Sequence, residues 1–299
     1  MHSMGVASLG YSTVEDIPLF HVAPGGSALR VVLPAQARLP GGLSCPGWCG
    51  ILGELTRAAG SEEAVQVPVG DIVSLARRWR VDVVSIEGVE PALDDQLGEL
   101  ASKARSSGLT VAVRTQGLAP PDSLIDSADV IIFDYITLID DPAYKVSATT
   151  SLEGLASSGL LAEVNVYIDE PLVETLTPVL HSLSRNTVLH LHIGNPRGGG
   201  AARQLYDIAR KRVPYTYLHA PPYDRLETYC HECGALVAVR EASRLVALKA
   251  PGGRCWRCGA KLPLRGPLYE ATRATILRRS GGGTVWHDPR VLVGATRNS

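Results

Sequence analysis

Residues 1–224 alternate between short apolar runs and longer segments with apolar residues at helical spacing. The short runs are rich in β-branched residues and predict seven strands, at residues 29–34, 82–88, 109–115, 129–135, 162–169, 187–194 and 215–220. The longer segments predict four helices, at residues 70–80, 93–108, 171–183 and 200–212. Asp71 is the expected N-cap of the first helix, and Gly108 is expected to end the second. Alternating strands and helices predict an α/β fold with a parallel sheet covered by helices.

Two architectures fit this alternation: a doubly wound sheet, and a full or partial TIM-type barrel. In both, binding and catalytic residues gather at the carboxyl ends of parallel strands. We therefore expect a ligand site of the large domain among the residues at those ends, which are 87–91, 115–117, Asp134, Tyr135, Asp169, Glu170, Gly194, Asn195 and His219.

Two CxxC pairs, each followed by a glycine, stand on either side of a predicted β-hairpin. The pairs are Cys230 with Cys233 and Cys255 with Cys258, and 21 residues separate them. Four thiolates complete a tetrahedral shell, which suits a structural zinc ion with no open ligand position. The glycines let backbone amides approach the sulfurs without a Cβ in the way. The pattern predicts a zinc ribbon whose metal stabilises the fold and does not catalyse; two disulfides or four free thiols are the alternatives.

The chain divides into three predicted parts: an α/β barrel domain over residues 1–224, a zinc ribbon over 225–266 and a basic tail over 267–299. Residues 226–299 hold 12 Lys and Arg against 5 Asp and Glu, a formal charge of +7, whereas residues 1–225 sum to −8. A basic ribbon and tail suggest nucleic-acid binding, with a solvated face or docking on the acidic domain as the alternatives. Trp286 is expected to anchor the tail on the barrel or on a partner.

Composition places the chain among ordinary globular proteins, with 45% hydrophobic and 20% charged residues. No run of 18 apolar residues occurs, so neither a transmembrane helix nor a membrane partner is expected. The first residues lack the basic and apolar regions of a signal peptide. Because four of the six cysteines have metal-binding spacing, we expect a cytoplasmic protein.

Several segments resemble, in the same order, those of one enzyme family. The segments IPLFHVAPGGSALRVV, SIEGVEPAL, VAVRTQGLAPPDSL and HLHIGNP come first, and the helix GAARQLYDIARKR, the strand YTYLHA and the ribbon complete the set. Together they cover roughly residues 18–263 and resemble the AmmeMemoRadiSam group of radical-SAM enzymes, relatives of pyruvate formate-lyase activating enzymes. The resemblance implies a partial (β/α) barrel of the radical-SAM type, followed by a zinc ribbon.

The resemblance also implies candidate residues for binding S-adenosylmethionine. In the family, glycines and a glutamate at the end of the second strand hold the amino group of the methionine moiety. Gly88, Glu90 and Pro91 match that motif, and Val89 stands where the family has a small or polar residue. A carboxylate at a strand end suits an ammonium group. The alternative is a simple turn in which Pro91 starts the next helix.

Cys45 and Cys49 match only part of the family's cluster motif. Radical-SAM enzymes hold a [4Fe–4S] cluster with C-x3-C-x2-C, and here the third position is Leu52. Cluster iron needs thiolates, and the other four cysteines belong to the ribbon. Three interpretations of Cys45 and Cys49 stay open. They are relics of a lost cluster, a CxxxC disulfide such as a thermophilic cytosol permits, or ligands of a cluster that a non-cysteine ligand or a partner completes.

Three histidines carry both a chemical and a structural interpretation. His190 and His192 alternate on one predicted strand, and His219 lies on the next. They suit a metal hydrolase in which Asp134 or Asp169 supplies a further ligand. The alternative is a set of histidines held by hydrogen bonds in a polar interior.

Three hypotheses about function follow. The first is a diverged radical-SAM-like protein that has lost the three-cysteine motif, and with it classical radical chemistry, and that binds a small ligand or a protein partner. The second is an active radical-SAM enzyme with atypical cluster ligation. The third is a zinc-ribbon protein that binds nucleic acid. The sequence leaves open whether the protein is an enzyme.

Overall fold

The computed structural model describes residues 2–34, 64–88, 90–185, 187–196, 199–241, 244–273, 283–290 and 292. Cys45, Cys49 and Leu52 lie outside the described residues. The strands are β1 Ser3–Val6, β2 Ser8–Thr13, β3 Ser27–Val32, β4 Val65–Pro68, β5 Val83–Glu87, β6 Thr110–Thr115, β7 Val130–Ile136, β8 Leu161–Ile168, β9 Val188–Ile193, β10 Tyr215–His219, β11 Thr228–Tyr229, β12 Leu236–Glu241, β13 Arg244–Leu248 and β14 Val285–His287. The α-helices are α1 Val69–Arg78, α2 Leu97–Ser106, α3 Pro121–Ile125, α4 Pro142–Ser158, α5 Val173–Ser182 and α6 Gly200–Arg212.

A nine-stranded sheet forms the centre of the fold, in the order β10-β9-β8-β7-β6-β5-β3-β2-β14. The strands from β10 to β3 pair in parallel, which confirms the predicted α/β class with a large parallel sheet. β2 and β14 extend the sheet in antiparallel orientation. Because the parallel strands follow chain order without a reversal, the doubly wound alternative is wrong. Among the described strands no pairing joins β10 to β14, so the order is open.

The described helices pack on one face of this sheet. Their buried residues share a single core cluster with alternate strand positions such as Val84, Val113 and Leu189. Right-handed crossovers between neighbouring parallel strands place successive helices on the same side. In the part of the chain that the structure describes, no helix is long and apolar enough to cross a membrane.

The start of α1 differs from the expectation. Its N-cap position is Pro68, which makes no side-chain capping hydrogen bond, so the prediction that Asp71 caps the helix is wrong. Asp71 lies in the first turn instead, where a negative charge suits the helix dipole.

Helix α4 has no counterpart among the predicted helices. Asp141 caps it, and its Oδ1 accepts hydrogen bonds from the amides of Ala143 and Tyr144 at 2.8 and 3.1 Å. Gly159 follows the helix with φ of 73°, a conformation that favours glycine. The start and stop signals were therefore present, and the buried Tyr144, Ala148, Leu152 and Leu155 between them stand at helical spacing.

The opposite face of the sheet is covered differently at its two ends. Near the amino ends of the strands, apolar side chains such as Val83 and Val130 pack against residues of the β2–β3 loop that include Val14 and Phe20. Toward the carboxyl ends, the same face carries charged and polar side chains that are buried. This polar region is the candidate site.

The four-cysteine segment contains the predicted hairpin, because β12 pairs antiparallel with β13. It packs against the β2–β3 loop. Arg240 Nη2 donates to the carbonyl oxygen of Phe20 at 2.8 Å, and its guanidinium lies 4.2 Å from the centre of the Phe20 ring. The amide of Arg265 donates to the carbonyl oxygen of His21 at 2.8 Å.

Trp286 lies in β14, which pairs with β2, so it anchors this part of the tail on the sheet.

Candidate functional site

Two buried arginine–carboxylate pairs lie side by side on the polar face. Arg30 Nε and Nη2 donate to Glu87 Oε1 and Oε2 at 3.0 and 2.9 Å. Arg114 Nε and Nη2 donate to Asp134 Oδ2 and Oδ1 at 2.6 and 3.1 Å. Arg114 Nη1 also lies 3.6 Å from Glu87 Oε2, so the two pairs form one cluster. All four side chains are fully buried, and their charges balance.

Two groups of this cluster, Glu87 and Arg114, have pKa values shifted toward their charged forms despite burial. Burial alone would raise the pKa of Glu87, but Arg30 and Arg114 outweigh it and hold that pKa below its ordinary value. Burial alone would lower the pKa of Arg114, but Asp134 and other nearby groups raise it. Removing one partner would therefore leave an uncompensated charge in the interior.

Asp134 extends this cluster to β8 and β9. Asn165 Nδ2 donates to Asp134 Oδ1 at 2.9 Å, and the Tyr167 hydroxyl donates to the same oxygen at 3.4 Å. Asn165 Oδ1 lies 2.9 Å from His192 Nε2, which must donate because an amide oxygen only accepts. The polar network thus crosses six neighbouring strands, from Arg30 on β3 to His192 on β9.

A second chain of hydrogen bonds links Glu163 to two histidines. Glu163 Oε2 and Oε1 accept from the amides of Phe20 and His21, both at 2.8 Å. Glu163 Oε2 also lies 2.9 Å from His190 Nε2, and His190 Nδ1 lies 3.0 Å from His219 Nε2. Burial raises the pKa of Glu163. When Glu163 is ionised, His190 and His219 each donate from Nε2, and Nδ1 of His219 is the acceptor at the end of this series of hydrogen bonds.

The three histidines of this region are neutral. Burial lowers the pKa of His190, His192 and His219 well below the ordinary value. The rings of His192 and His219 stack with centroids 4.3 Å apart and planes within 11°. Among the described residues, the four cysteines are the only group of three or more potential ligands that converges on one point. The structure therefore shows hydrogen-bonded histidines and not the metal-hydrolase arrangement.

Gly88, Glu90 and Pro91 follow β5 at its carboxyl end. Pro91 begins a one-turn 3-10 helix, Pro91–Leu93. The carboxylate of Glu90 is buried and accepts hydrogen bonds from Thr115 Oγ1 at 2.7 Å and from the amide of Leu118 at 2.9 Å. Burial raises the pKa of Glu90. Glu90 thus ties the end of β5 to the turn after β6, and its role toward a methionine amino group stays a prediction.

Not every strand-end residue proposed from the sequence joins the polar network. Asp169 and Glu170 are exposed beyond the end of β8. Tyr135 belongs to the core under the helices, on the other face of the sheet. The network therefore draws on Glu87, Asp134 and the histidines, and not on the carboxylates after β8.

Arg114 Nη1 and Gln116 Oε1 are among the buried atoms of this region that have no hydrogen-bond partner in the described residues, although Arg114 Nη1 keeps its 3.6 Å ion-pair contact with Glu87 Oε2. Gln116 Nε2 lies 3.4 Å from Asp134 Oδ2, so both side chains adjoin the same carboxylate. Buried polar groups are nearly always paired with protein or water. Each of these two atoms therefore has a hydrogen bond left to make, to water or to a polar ligand.

Cys230, Cys233, Cys255 and Cys258 form a metal-binding site. Their sulfur atoms all lie within 4.8 Å of one another, and the pairs Cys230–Cys258 and Cys233–Cys255 are each 3.7 Å apart. Four sulfurs at about 2.3 Å from one tetrahedral ion would stand about 3.8 Å apart. The donors therefore fit a single ion and leave no ligand position open.

The two CxxC turns repeat one local structure. The amide of Gly234 donates to the carbonyl oxygen of Cys230, and the amide of Gly259 donates to that of Cys255, both at 2.9 Å. Both glycines have left-handed φ, at 68° and 74°, which explains why glycine follows each pair. The backbone amide of Cys258 is the main group that lowers the pKa of Cys255, to about 6, and so favours the thiolate that binds metal.

Sequence reasoning missed Arg30, Arg114, Glu163 and Asn165. One signal was present, because Glu163, Asn165 and Tyr167 stand at alternate positions of β8 and so share a face. The pairing of these side chains depends on the register of neighbouring strands, which apolar runs do not specify.

No protein-family model and no curated protein matches the chain. Among solved structures, SuiB of Streptococcus suis bound to precursor peptide SuiA matches with a TM-score of 0.42 and 13% identity, over 55% of this chain and 45% of SuiB. TYW1 with a lysine-pyruvate adduct bound matches with a TM-score of 0.44 and 11% identity, over 65% of this chain and 78% of TYW1. This chain thus spans less than half the length of SuiB. Likeness at these TM-scores does not assign a fold family.

Proposed function

We propose that this chain is a diverged radical-SAM-like protein whose partial (β/α) barrel binds a small polar ligand and whose ribbon holds a structural zinc ion. The observation that carries the proposal is the polar interior on the face of the sheet opposite its helices. A flat sheet would expose that face, yet Arg30, Glu87, Arg114 and Asp134 are fully buried there. We take their burial as support for a sheet that curves into a partial barrel.

The order of the sequence motifs supports the AmmeMemoRadiSam type. The segment SIEGVEPAL covers the end of β5, VAVRTQG covers the end of β6, and HLHIGNP covers the end of β9. In this fold class such ends are where ligands bind. The cytoplasmic location expected from the cysteines is part of the same proposal.

The ligand we propose is S-adenosylmethionine or a related amino-acid derivative. Such a molecule carries a carboxylate and an ammonium group. In the described network Arg114 Nη1 makes no hydrogen bond beyond its 3.6 Å ion-pair contact with Glu87, and Gln116 Oε1 accepts none. A charged group beside a buried guanidinium gains a strong hydrogen bond. A protein partner stays the alternative occupant.

The residues present do not fit a conventional [4Fe–4S] cluster. Leu52 stands at the third ligand position, and the four described cysteines converge on the ribbon site. We therefore infer that classical radical chemistry has been lost. A zinc ion held by Cys230, Cys233, Cys255 and Cys258 would supply folding free energy and no catalysis.

Metal analysis tests this proposal. Protein purified and reconstituted without oxygen is assayed for iron, zinc and acid-labile sulfide, as wild type, as Cys45→Ala/Cys49→Ala and as Cys258→Ser. We expect about one zinc and no iron in the wild type and the double variant, and loss of zinc in Cys258→Ser. About four irons in the wild type, lost in the double variant, would overturn the proposal in favour of an active enzyme with atypical cluster ligation.

Ligand binding has a separate test. S-adenosylmethionine is titrated into the wild type, Gln116→Leu and a control variant, Glu174→Gln, whose side chain is exposed on α5. Loss of one hydrogen bond should weaken binding about tenfold in Gln116→Leu, and the control should match the wild type. No binding by the wild type, or equal binding by Gln116→Leu, would contradict the proposed site.

One observation favours nucleic-acid binding as a second candidate function. Trp256 is 52% exposed in the second CxxC turn, between the exposed Arg254 and Arg257. Lys249 Nζ lies 5.6 Å from the centre of its ring. An exposed aromatic ring among cations suits base stacking and phosphate contact. Binding of a single-stranded RNA that falls steeply with salt and is lost in Trp256→Ala would support this candidate, and no binding at low salt would reject it.

A further inference from the structure

A cleft of about 640 Å³ lies between the ribbon and the amino ends of the sheet strands. Leu161 at the start of β8 and Tyr215 at the start of β10 line one side, and residues 261–265 of the ribbon line another. The polar network lies at the carboxyl ends of the same strands, so the cleft is separate from the ligand site proposed above. Its volume lies in the range of small-molecule sites.

The lining of this cleft is positively charged. Arg185, Lys261 and Arg265 contribute cations, and none of them forms an ion pair with another described residue. Glu232 is the only carboxylate among the described lining residues, and its Oε1 lies 3.2 Å from Nε2 of His231. Arg185, Lys261, Arg265 and Glu232 together give the lining a formal charge of +2. Such a site attracts an anion.

Hydrogen bonds between the ribbon and the sheet domain hold the cleft in place. The Tyr215 hydroxyl lies 2.7 Å from His231 Nδ1, which joins β10 to the first CxxC turn. The amide of Arg265 donates to the carbonyl oxygen of His21, which fixes the ribbon to the β2–β3 loop. A cleft fixed by both contacts is formed before a ligand arrives, so binding costs little ordering entropy.

The remaining lining is apolar, and it narrows the ligand class. Leu160, Leu161, Leu262, Pro263 and Leu264 add hydrocarbon surface beside the cations. An inorganic anion would leave that surface unused. A ligand that satisfies the whole lining carries a charged group and a ring or hydrocarbon portion.

We propose that this cleft binds a phosphate monoester of nucleotide size. A phosphate monoester carries a charge of about −1.5 to −2 at neutral pH, which matches the lining charge, whereas a single carboxylate would leave a cation unpaired. The planar guanidiniums of Arg185 and Arg265 suit phosphate oxygens, and Lys261 adds a point charge. The base or other ring lies against the apolar residues.

AMP is the test probe, with adenosine and inorganic phosphate as its two halves. Each is titrated into the full chain by isothermal calorimetry at low ionic strength. We expect AMP to bind at least about tenfold more tightly than either half, because it uses both parts of the lining. Arg185→Ala and Arg265→Ala should each weaken AMP by about tenfold or more and leave adenosine unchanged.

Two further variants make the assignment specific. Arg257→Ala removes an exposed cation of the same ribbon that does not line the cleft, and it should leave AMP affinity unchanged. Gln116→Leu, at the other end of the strands, should also leave it unchanged. Zinc content and thermal unfolding of each variant confirm that it is folded.

Three outcomes would overturn the inference. AMP binding no tighter than phosphate would show that the apolar lining is not used. Equal losses in Arg257→Ala and Arg265→Ala would show that only the general charge of the ribbon attracts the probe. Loss of AMP binding in Gln116→Leu would place the probe at the carboxyl ends of the strands. None of these results bears on the metal content that tests the proposed function.

Discussion

Glu15 illustrates at the scale of single residues how burial sets a charge state. Its Oε1 accepts a hydrogen bond from the amide of Gly25 at 2.7 Å, while Oε2 has no hydrogen-bond partner in the described part of the chain. Burial raises the pKa of Glu15 to about 7, against the opposing charge of Arg240. The folded chain therefore favours the protonated acid below that pH.

Glu15→Gln should remove a pH dependence of stability. A carboxyl group whose pKa rises on folding stabilises the folded state below its unfolded value of 4.5, and this contribution is lost as pH rises through about 7. The shift corresponds to about 3 kcal/mol. Urea unfolding from about pH 5 to about pH 8 should therefore show a larger loss of stability in the wild type than in Glu15→Gln. Glu174→Gln, at an exposed position, serves as the control. If unfolding free energy falls equally with pH in the wild type and in Glu15→Gln, the expectation is refuted.

The buried pair Arg114–Asp134 should show strong energetic coupling. Arg114→Met or Asp134→Leu alone leaves one charge without its main partner and should lower the unfolding free energy by about 3–5 kcal/mol. The double variant should lose less unfolding free energy than the sum of the losses in the two single variants. The half-exposed pair Arg105–Asp129, treated in the same way, should couple by less than about 1 kcal/mol. Additive losses at Arg114 and Asp134 in guanidinium unfolding would contradict this prediction.

At the scale of elements, local patterns predicted more than long-range ones did. Apolar runs located all seven parallel strands, because a strand buried on both faces leaves a continuous signal. The short antiparallel β2 and β14 have no such signal. The CxxC spacing predicted the cysteine cluster because each pair is closed by a tight turn. The arginine–carboxylate network escaped prediction because strand register alone brings Arg30 near Glu87 and Arg114 near Asp134.

Substitutions at two glycines that follow regular elements, Gly117 and Gly108, distinguish the cost of backbone strain from the cost of crowding. Gly117 and Gly108 have nearly equal left-handed φ, at 77° and 78°. A Cβ at Gly117 would lie 2.7 Å from Phe133 Cζ and 2.9 Å from Ala148 Cα, whereas at Gly108 nothing lies within 4 Å. Gly108→Ala should therefore cost about 1 kcal/mol of stability, and Gly117→Ala about 1–3 kcal/mol more. Equal midpoints of denaturant unfolding for the two variants would contradict the crowding at Gly117.

At the scale of the whole molecule, the ribbon contacts the β2–β3 loop, and backbone amides of that loop also donate hydrogen bonds to the buried polar region. Arg240 holds the carbonyl of Phe20, and the amides of Phe20 and His21 donate to Glu163. Glu163 in turn contacts His190. Loss of the ribbon's structure should therefore reach the hydrogen-bonded histidines through this loop.

Metal removal tests that coupling. Cys258→Ser should lose the metal and lower the thermal unfolding midpoint by several degrees or more, because metal binding stabilises so small a segment. Hydrogen exchange at the amides of Phe20 and His21 should also become faster, since the loop loses its contact with Arg240. Cys45→Ala serves as a matched cysteine control. Unchanged exchange in this loop after metal loss would show that the two parts are energetically independent.

The pairing of β14 with β2 also has a consequence for how the chain folds as it is made. Gly10 and Trp286 are register partners, although 276 positions separate them. While synthesis proceeds from the amino end, the edge of β2 that pairs with β14 keeps unpaired amides and carbonyls until β14 emerges from the ribosome. An unpaired edge invites pairing with another chain. Nascent or prematurely ended chains are therefore the species in which a chaperone or self-association would first matter.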